Sequence, residues 1–313
     1  MPNQLTHRIA PARAARRALL VVSVAVSLAP FAAAQGGSES MPPETAAAAA
    51  SPAMNGIAHI AIRVKDIAAS VAFYHKLGFD QAFAVTSGDV TTQSFIKLND
   101  RQFIELYPVN AATPDQSTPG FLHLCFEAAD LNALRGSYLS EGLTPIAVRT
   151  AGAGNLLFTM KGPQQSADPQ NIEYTQYMPG SLHSKDFGQH LSPDRVGDKM
   201  TVVVLAMQDP AAARRFYLDK VRFTPSKDNP ALLDLPGTTD EAIQIVPVSE
   251  LGPRSSIVLT TADLDKAAAQ LKRQDVTFTR AASTATANGR TRTVDMISVT
   301  DPDGNIIRIQ QIK

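Results

Sequence analysis

Two histidines and two glutamates, His59, Glu105, His123 and Glu173, each stand on a short apolar segment of strand character and follow one another at intervals of 46, 18 and 50 residues. Imidazole nitrogens and carboxylate oxygens are ordinary ligands for a borderline divalent ion such as zinc, nickel, cobalt, manganese or iron. Two neutral imidazoles and two carboxylates would balance the charge of one such ion and leave positions open for water or for two neighbouring substrate oxygens. An ion so held acts as a Lewis acid and stabilises the enediolate that forms when a proton leaves the adjacent carbon.

Strand parity offers an independent test of whether the four side chains can meet, because alternate residues of a strand point to opposite faces. Over residues 57–64, His59 shares a face with Ala61 and Arg63, opposite Ile60, Ile62 and Val64. Over residues 121–127, His123 lies with Cys125 and Glu127, opposite Leu122, Leu124 and Phe126. Glu105 shares its face with Phe103 and Tyr107, and Glu173 with Asn171, Thr175 and Tyr177. All four point away from the apolar faces. Ordinary solvent-facing alternation would also put polar residues there, so parity alone leaves both readings open.

The elements that carry these residues recur. Residues 56–79, GIAHIAIRVKDIAASVAFYHKLGF, read as an alternating strand, then Asp66 as helix N-cap, then a helix with apolar Ile67, Val71, Tyr74 and Leu77 closed by Gly78. Residues 199–223, KMTVVVLAMQDPAAARRFYLDKVRF, repeat the pattern with Asp209 as cap and Pro210 at the first helical position. Shorter echoes begin at Phe121, with cap Asp130, and at Ser256, with cap Asp263. Further strand candidates follow each helix, so the chain is predicted to be α+β, four βαβββ modules long.

Through FYHKLGF at 73–79, FYLDKVRF at 216–223 and DPDGNIIRIQQ at 301–311, the chain resembles the vicinal oxygen chelate (VOC) superfamily, which includes glyoxalase I, extradiol dioxygenases and bleomycin-resistance proteins. The resemblance spans nearly everything from Gly56 to Lys313. It implies that modules pair into cupped mixed sheets, giving one domain over 56–178, a linker over 179–198 and a second domain over 199–313. It also implies one divalent metal on His59, Glu105, His123 and Glu173, as in glyoxalase I, with Glu173 as base and Glu105 as second carboxylate ligand or proton carrier. Arg63 matches a position that contacts the thiol cofactor in glyoxalases, and Phe103, Tyr107 and Tyr177 would line the cup. The expected activity is lyase or isomerase chemistry on a small oxygen-rich molecule. Ring cleavage of the extradiol type and non-catalytic binding of the bleomycin-resistance type are the alternatives, and a homodimer is compatible with the family. The second module ends in DPQNIEY at 168–174, two residues shorter than the family's usual DPDGNxIEL, which affects where Glu173 sits.

The C-terminal half acts as an internal control. Aligning the caps and strands places Val202, Gln244, Ser256 and Arg308 where His59, Glu105, His123 and Glu173 stand. No metal is expected there, and Arg308 reads either as an anion contact or as a solvated strand-end cation.

The N-terminus carries four arginines within 7–17, a 14-residue apolar run over 18–31 and Ala32-Ala33-Ala34 before Gln35. This is the pattern of a cleaved secretory signal over 1–34, too short for a stable membrane anchor. The mature protein is expected to be periplasmic or secreted and soluble. Residues 35–55, rich in Ala, Ser, Pro and Gly, read as a disordered tether. Removing the signal leaves 25 basic against 29 acidic residues, a balance unsuited to nucleic acid. The single cysteine, Cys125, excludes an intramolecular disulfide. His183 and His190 fall in the linker stretch and are not expected to form a second metal site.

Overall fold

The structure is a computed structural model that describes residues 54–238, 240–287 and 290–312. The predicted secretory signal and nearly all of the predicted tether fall outside the described residues, although Met54 and Asn55 already belong to the first strand. Four βαβββ modules follow in order. The first comprises β1 (Met54–Val64), α1 (Ile67–Lys76), β2 (Gln81–Ser87), β3 (Val90–Lys97) and β4 (Phe103–Pro108); the second, β5 (Gly120–Ala128), α2 (Leu131–Ser140), β6 (Arg149–Thr150), β7 (Leu156–Gln164) and β8 (Pro169–Gln176). A short helix, α3 (Leu182–Lys185), precedes the third module of β9 (Lys199–Met207), α4 (Pro210–Asp219), β10 (Thr224–Pro225), β11 (Leu232–Asp234) and β12 (Ala242–Pro247). After α5 (Val248–Leu251), the fourth module is β13 (Ser256–Thr260), α6 (Leu264–Arg273), β14 (Thr279–Ala287), β15 (Arg290–Thr300) and β16 (Ile306–Ile312).

Each long helix starts where its aspartate caps it. Asp66, Asp130, Asp209 and Asp263 accept the backbone N–H three residues on, at 2.9–3.1 Å. Such a cap satisfies a donor the helix cannot and stabilises by about 1 kcal/mol. Gly78 closes α1 at φ 82°, and a Cβ there would stand 2.5 Å from the Asp194 carbonyl oxygen, so both conformation and space demand glycine.

The strands form two eight-stranded mixed sheets, ordered β2-β3-β4-β1-β5-β8-β7-β6 and β10-β11-β12-β9-β13-β16-β15-β14. In each sheet the first strands of two modules pair antiparallel at the centre, β1 with β5 and β9 with β13. Each is flanked by the parallel last strand of its own module. The α+β fold of four modules in two cupped sheets is therefore as the sequence predicts.

One hydrophobic core serves both sheets. It gathers Ile60, Ile62, Leu124 and Phe126 from the first with Val203, Leu205, Ile307 and Ile309 from the second, and α1 and α4 with them. Each such side chain contributes about 1.5–3 kcal/mol when fully buried. The two halves are stitched reciprocally. Tyr74 on α1 donates to Asp301 in the last turn of the second half, and Tyr217 on α4 donates to Gln170 at the start of β8 in the first. With the apolar faces spent on this shared core, the opposite faces are left as the two cups.

Residues 179–198 form a packed strap, a feature beyond the linker that composition suggests. The Ser181 hydroxyl caps α3, Leu182 donates its N–H to Ala153 O, and Val196 is fully buried. The strap is fastened by an ion pair on Lys97, a fully buried residue. Its Nζ lies 2.7 Å from Asp186 Oδ2 and 2.8 Å from Asp100 Oδ1.

Candidate metal centre

Register brings the four predicted side chains together. Parallel pairing sets Ala61 beside Glu105, antiparallel pairing sets Ala61 beside His123, and parallel pairing sets Cys125 beside Glu173. His59, two residues from Ala61, therefore shares one sheet face with the other three. Its Nε2 stands 3.2 Å from His123 Nε2, 3.5 Å from Glu105 Oε1 and 3.4 Å from Glu173 Oε1, and His123 Nε2 is 3.9 Å from the same Glu173 oxygen. The shortened DPQNIEY turn does not displace Glu173, because β5 and β8 hold the register that Val258 and Arg308 hold in the second sheet.

Donors that share one ion at roughly 2.1 Å stand about 3.0–3.5 Å from each other, so this spacing and donor chemistry fit a divalent metal. The tightest group is His59, His123 and Glu173, whose ligand atoms all lie within 4.8 Å of one another. Glu105 joins it through His59, its second oxygen accepting a 3.1 Å hydrogen bond from the Tyr107 hydroxyl. Tyr107 in turn accepts from Gln93 at 2.6 Å. The His59 Nδ1 atom is buried without a partner among the described residues. Such an orphan costs about 1–3 kcal/mol, and it is kept beside the donor cluster.

The electrostatics separate the two carboxylates. Burial drives the Glu105 pKa well above the usual carboxylate range and repulsion from Glu173 adds to it, partly countered by His59 and the Tyr107 hydrogen bond. Burial also opposes ionisation of Glu173, but His123, His59 and the Cys125 thiol outweigh it and hold that carboxyl low. Burial takes His123 down to about 4, so its imidazole is neutral at ordinary pH. For His59 the two carboxylates outweigh burial and raise the pKa.

His59, Glu105 and Glu173 line a cavity of about 120 Å³ that also meets Tyr107, Tyr177, Asn155 and His183, with Arg149 among its lining residues. Phe103 lies beneath, fully buried against the His183 ring with centroids 4.7 Å apart. Arg63 is half-buried near the end of β1 and is not among the cavity's lining residues. His183 was missed by sequence reading. It is 6 % exposed, stacked on Tyr177 at 4.9 Å and set edge-on to Phe83, Phe95 and Phe103. The Asn155 amide bonds its Nδ1 at 2.8 Å. A histidine in a short polar helix carries no local signal of such burial.

Burial lowers the His183 pKa to about 3 from 6.5. A histidine with a depressed folded-state pKa takes up protons first in the unfolded chain. Stability should therefore fall as pH drops below 6.5 and level off only near the folded pKa. Between pH 6.5 and about pH 4 this amounts to roughly 3 kcal/mol. Urea unfolding at several pH values should show a correspondingly flatter profile for His183→Phe than for the parent; parallel profiles would contradict the assignment.

Residues 56–173 and 199–309 match the sequence profile described as Glyoxalase/Bleomycin resistance protein/Dioxygenase superfamily. The chain belongs to this superfamily. A search of the curated proteins finds no significant match. Among solved structures, the superfamily chain is similar to the Mn(II)-bound glyoxalase from Novosphingobium aromaticivorans, with TM-score 0.61 and 16 % identity over 82 % of each chain. It is similar also to the 2,3-dioxygenase LapB from Pseudomonas sp. KL28, with TM-score 0.57 and 14 % identity over 83 % of this chain and 93 % of that one. A variant of homoprotocatechuate 2,3-dioxygenase from B. fuscum gives TM-score 0.59 and 15 % identity over 84 % of this chain and 72 % of that one. At these identities the likeness is one of fold. No helix among the described residues is long and apolar enough to cross a membrane.

Proposed function

We propose that the chain is a metal-dependent lyase or isomerase of glyoxalase-like type, acting on a small molecule with two neighbouring oxygens. The observation that carries this reading is the fourth donor: Glu105 presents Oε1 3.5 Å from His59 Nε2, adding a second carboxylate to His59, His123 and Glu173. A divalent ion held by these residues would supply Lewis acidity that stabilises an enediolate. Glu173 is assigned as the base that removes the proton from the carbon beside the carbonyl. Its contacts are the imidazoles and the Cys125 thiol, whereas Glu105 is fixed by the Tyr107 hydroxyl and returns or carries the proton. Tyr177, Leu157 and Ala153 wall the substrate from water, and Arg149 provides a cation for a substrate with an anionic group.

The alternative, extradiol ring cleavage, is favoured by the tightness of the trio His59, His123 and Glu173, a two-histidine, one-carboxylate set. The N-terminal 34 residues are proposed to direct export, on the strength of their basic, apolar and small-residue regions. The chain for testing should therefore accumulate in the exported fraction with its N-terminus near Gln35. Loaded in turn with nickel, zinc, cobalt, manganese and iron, it is offered α-hydroxycarbonyl compounds and hemithioacetals in D2O, and catechols with oxygen. We expect deuterium to enter the carbon beside the carbonyl without oxygen uptake, and Glu173→Gln to slow this at least about 100-fold. Oxygen uptake with catechols and no exchange would replace this reading by the dioxygenase one.

A further inference from the structure

The second sheet repeats the frame of the first with the opposite charge. Val204 pairs with both Gln244 and Ser256, and Val258 pairs with Arg308. Val202, Gln244, Ser256 and Arg308 thus occupy the positions of His59, Glu105, His123 and Glu173 in register as well as in sequence. These substitutions leave a cup of about 570 Å³, within the usual size for a small-molecule site. Val202, Val204 and Val258 form apolar wall, each 7–8 % exposed. The Arg308 guanidinium is half-buried and donates to the Ser256 hydroxyl, and among the described residues no carboxylate stands within 4.0 Å of it. Glu250, the acidic residue of the lining, is on α5 and exposed.

We infer that this second cup binds a small organic monoanion, its carboxylate meeting Arg308 and its apolar body lying along the three valines. A half-buried cation without a counter-charge is costly, and a ligand carboxylate removes that cost through two parallel charge-assisted hydrogen bonds. Gln244 and Gln310 add neutral donors to the same cavity. The apolar walls discriminate against inorganic anions, which would leave them in contact with water. Because the first cup could also take a carboxylate, the two sites must be separated by the experiment.

The separation uses the full chain with His59→Ala/His123→Ala as background, so the outcome does not depend on the metal reading. Octanoate, benzoate, inorganic phosphate and octylamine are titrated into it by calorimetry. Octanoate or benzoate should bind saturably at one site per chain, phosphate and octylamine at least tenfold more weakly. Adding Arg308→Gln should weaken the carboxylates at least tenfold, and Arg308→Lys, which keeps the charge, by less. Equal carboxylate binding with and without Arg308, or no saturable binding to the background protein, would overturn the inference. Should Arg308→Gln fail to fold, the Arg308 Nε–H resonance in the background protein decides: it should shift along the octanoate titration, and a fixed resonance would equally overturn it.

Discussion

Replacing His59 and His123 together by alanine is expected to remove stoichiometric metal from the purified protein and to leave its fold in place. Loss of a single supporting partner outside the ligand shell costs metal affinity about 10–100-fold, so losing two direct donors should exceed that range. The fold should survive because both rings lie on the cup face, away from the shared core of Ile60, Ile62, Leu124 and Phe126. The substitution also removes the orphaned His59 Nδ1, which offsets part of the space left behind. Elemental analysis beside a thermal melt reads both quantities. About one nickel, zinc, cobalt, manganese or iron per parent chain and none in a cooperatively melting variant is the expected pair. A variant that keeps its metal would remove His59 and His123 from consideration as ligands.

Glu105→Gln should behave differently. The amide oxygen can still face His59, but without the charge of a carboxylate it holds a divalent ion less tightly. The Tyr107 hydroxyl, now paired with an amide, no longer meets a charge. Together with Glu173→Gln, this variant distinguishes a carboxylate that holds the ion from one that moves a proton.

The fold was legible because its signals are local. Four aspartates at four helix starts, each followed by an apolar stripe and preceded by alternating residues, state the βαβββ unit without reference to any other part of the chain. The convergence of His59, Glu105, His123 and Glu173 was legible for a related reason. Alternation fixes the face, and once β1 lies between β4 and β5 a one-residue slip would turn every side chain over, so register follows from burial. Val202 at the position of His59 could be read the same way.

What escaped depends on pairings far apart in sequence. Lys97 ends β3 and meets Asp186 89 residues later. Nothing near either residue distinguishes a fully buried lysine from the exposed one that base composition suggests. The four-residue α3 has no room for an apolar period, so its packing against Ala153 and the burial of His183 could not be read. Arg63 is the converse case: its parity is right, but it lies near the end of β1, level with Tyr107 and Gly120, outside the lining of the cavity.

Lys97→Met should therefore be among the most destabilising substitutions in the molecule. Methionine matches the shape of the lysine stem but strands Asp186, which is 6 % exposed and then keeps the His190 ring as its neighbour, with Nδ1 at 2.5 Å. Removing one partner of a buried ion pair costs about 3–5 kcal/mol, whereas replacing both by apolar groups of similar volume is often neutral. Urea unfolding should accordingly show a large loss for Lys97→Met and partial recovery in Lys97→Met/Asp186→Leu. The effect should also be local. Asp186 is the C-cap of α3, and its backbone carbonyl accepts from the same Nζ at 2.7 Å, so amide exchange over 182–190 should accelerate before the sheets open. That segment holds His183 against Tyr177 beside His59, Glu105 and Glu173, so a loosened strap should admit water to the cup and weaken substrate binding while leaving those three side chains in place. A Lys97→Met protein within about 1 kcal/mol of the parent, with exchange over 182–190 unchanged, would show that the strap is held by its apolar contacts instead and that the buried ion pair contributes little.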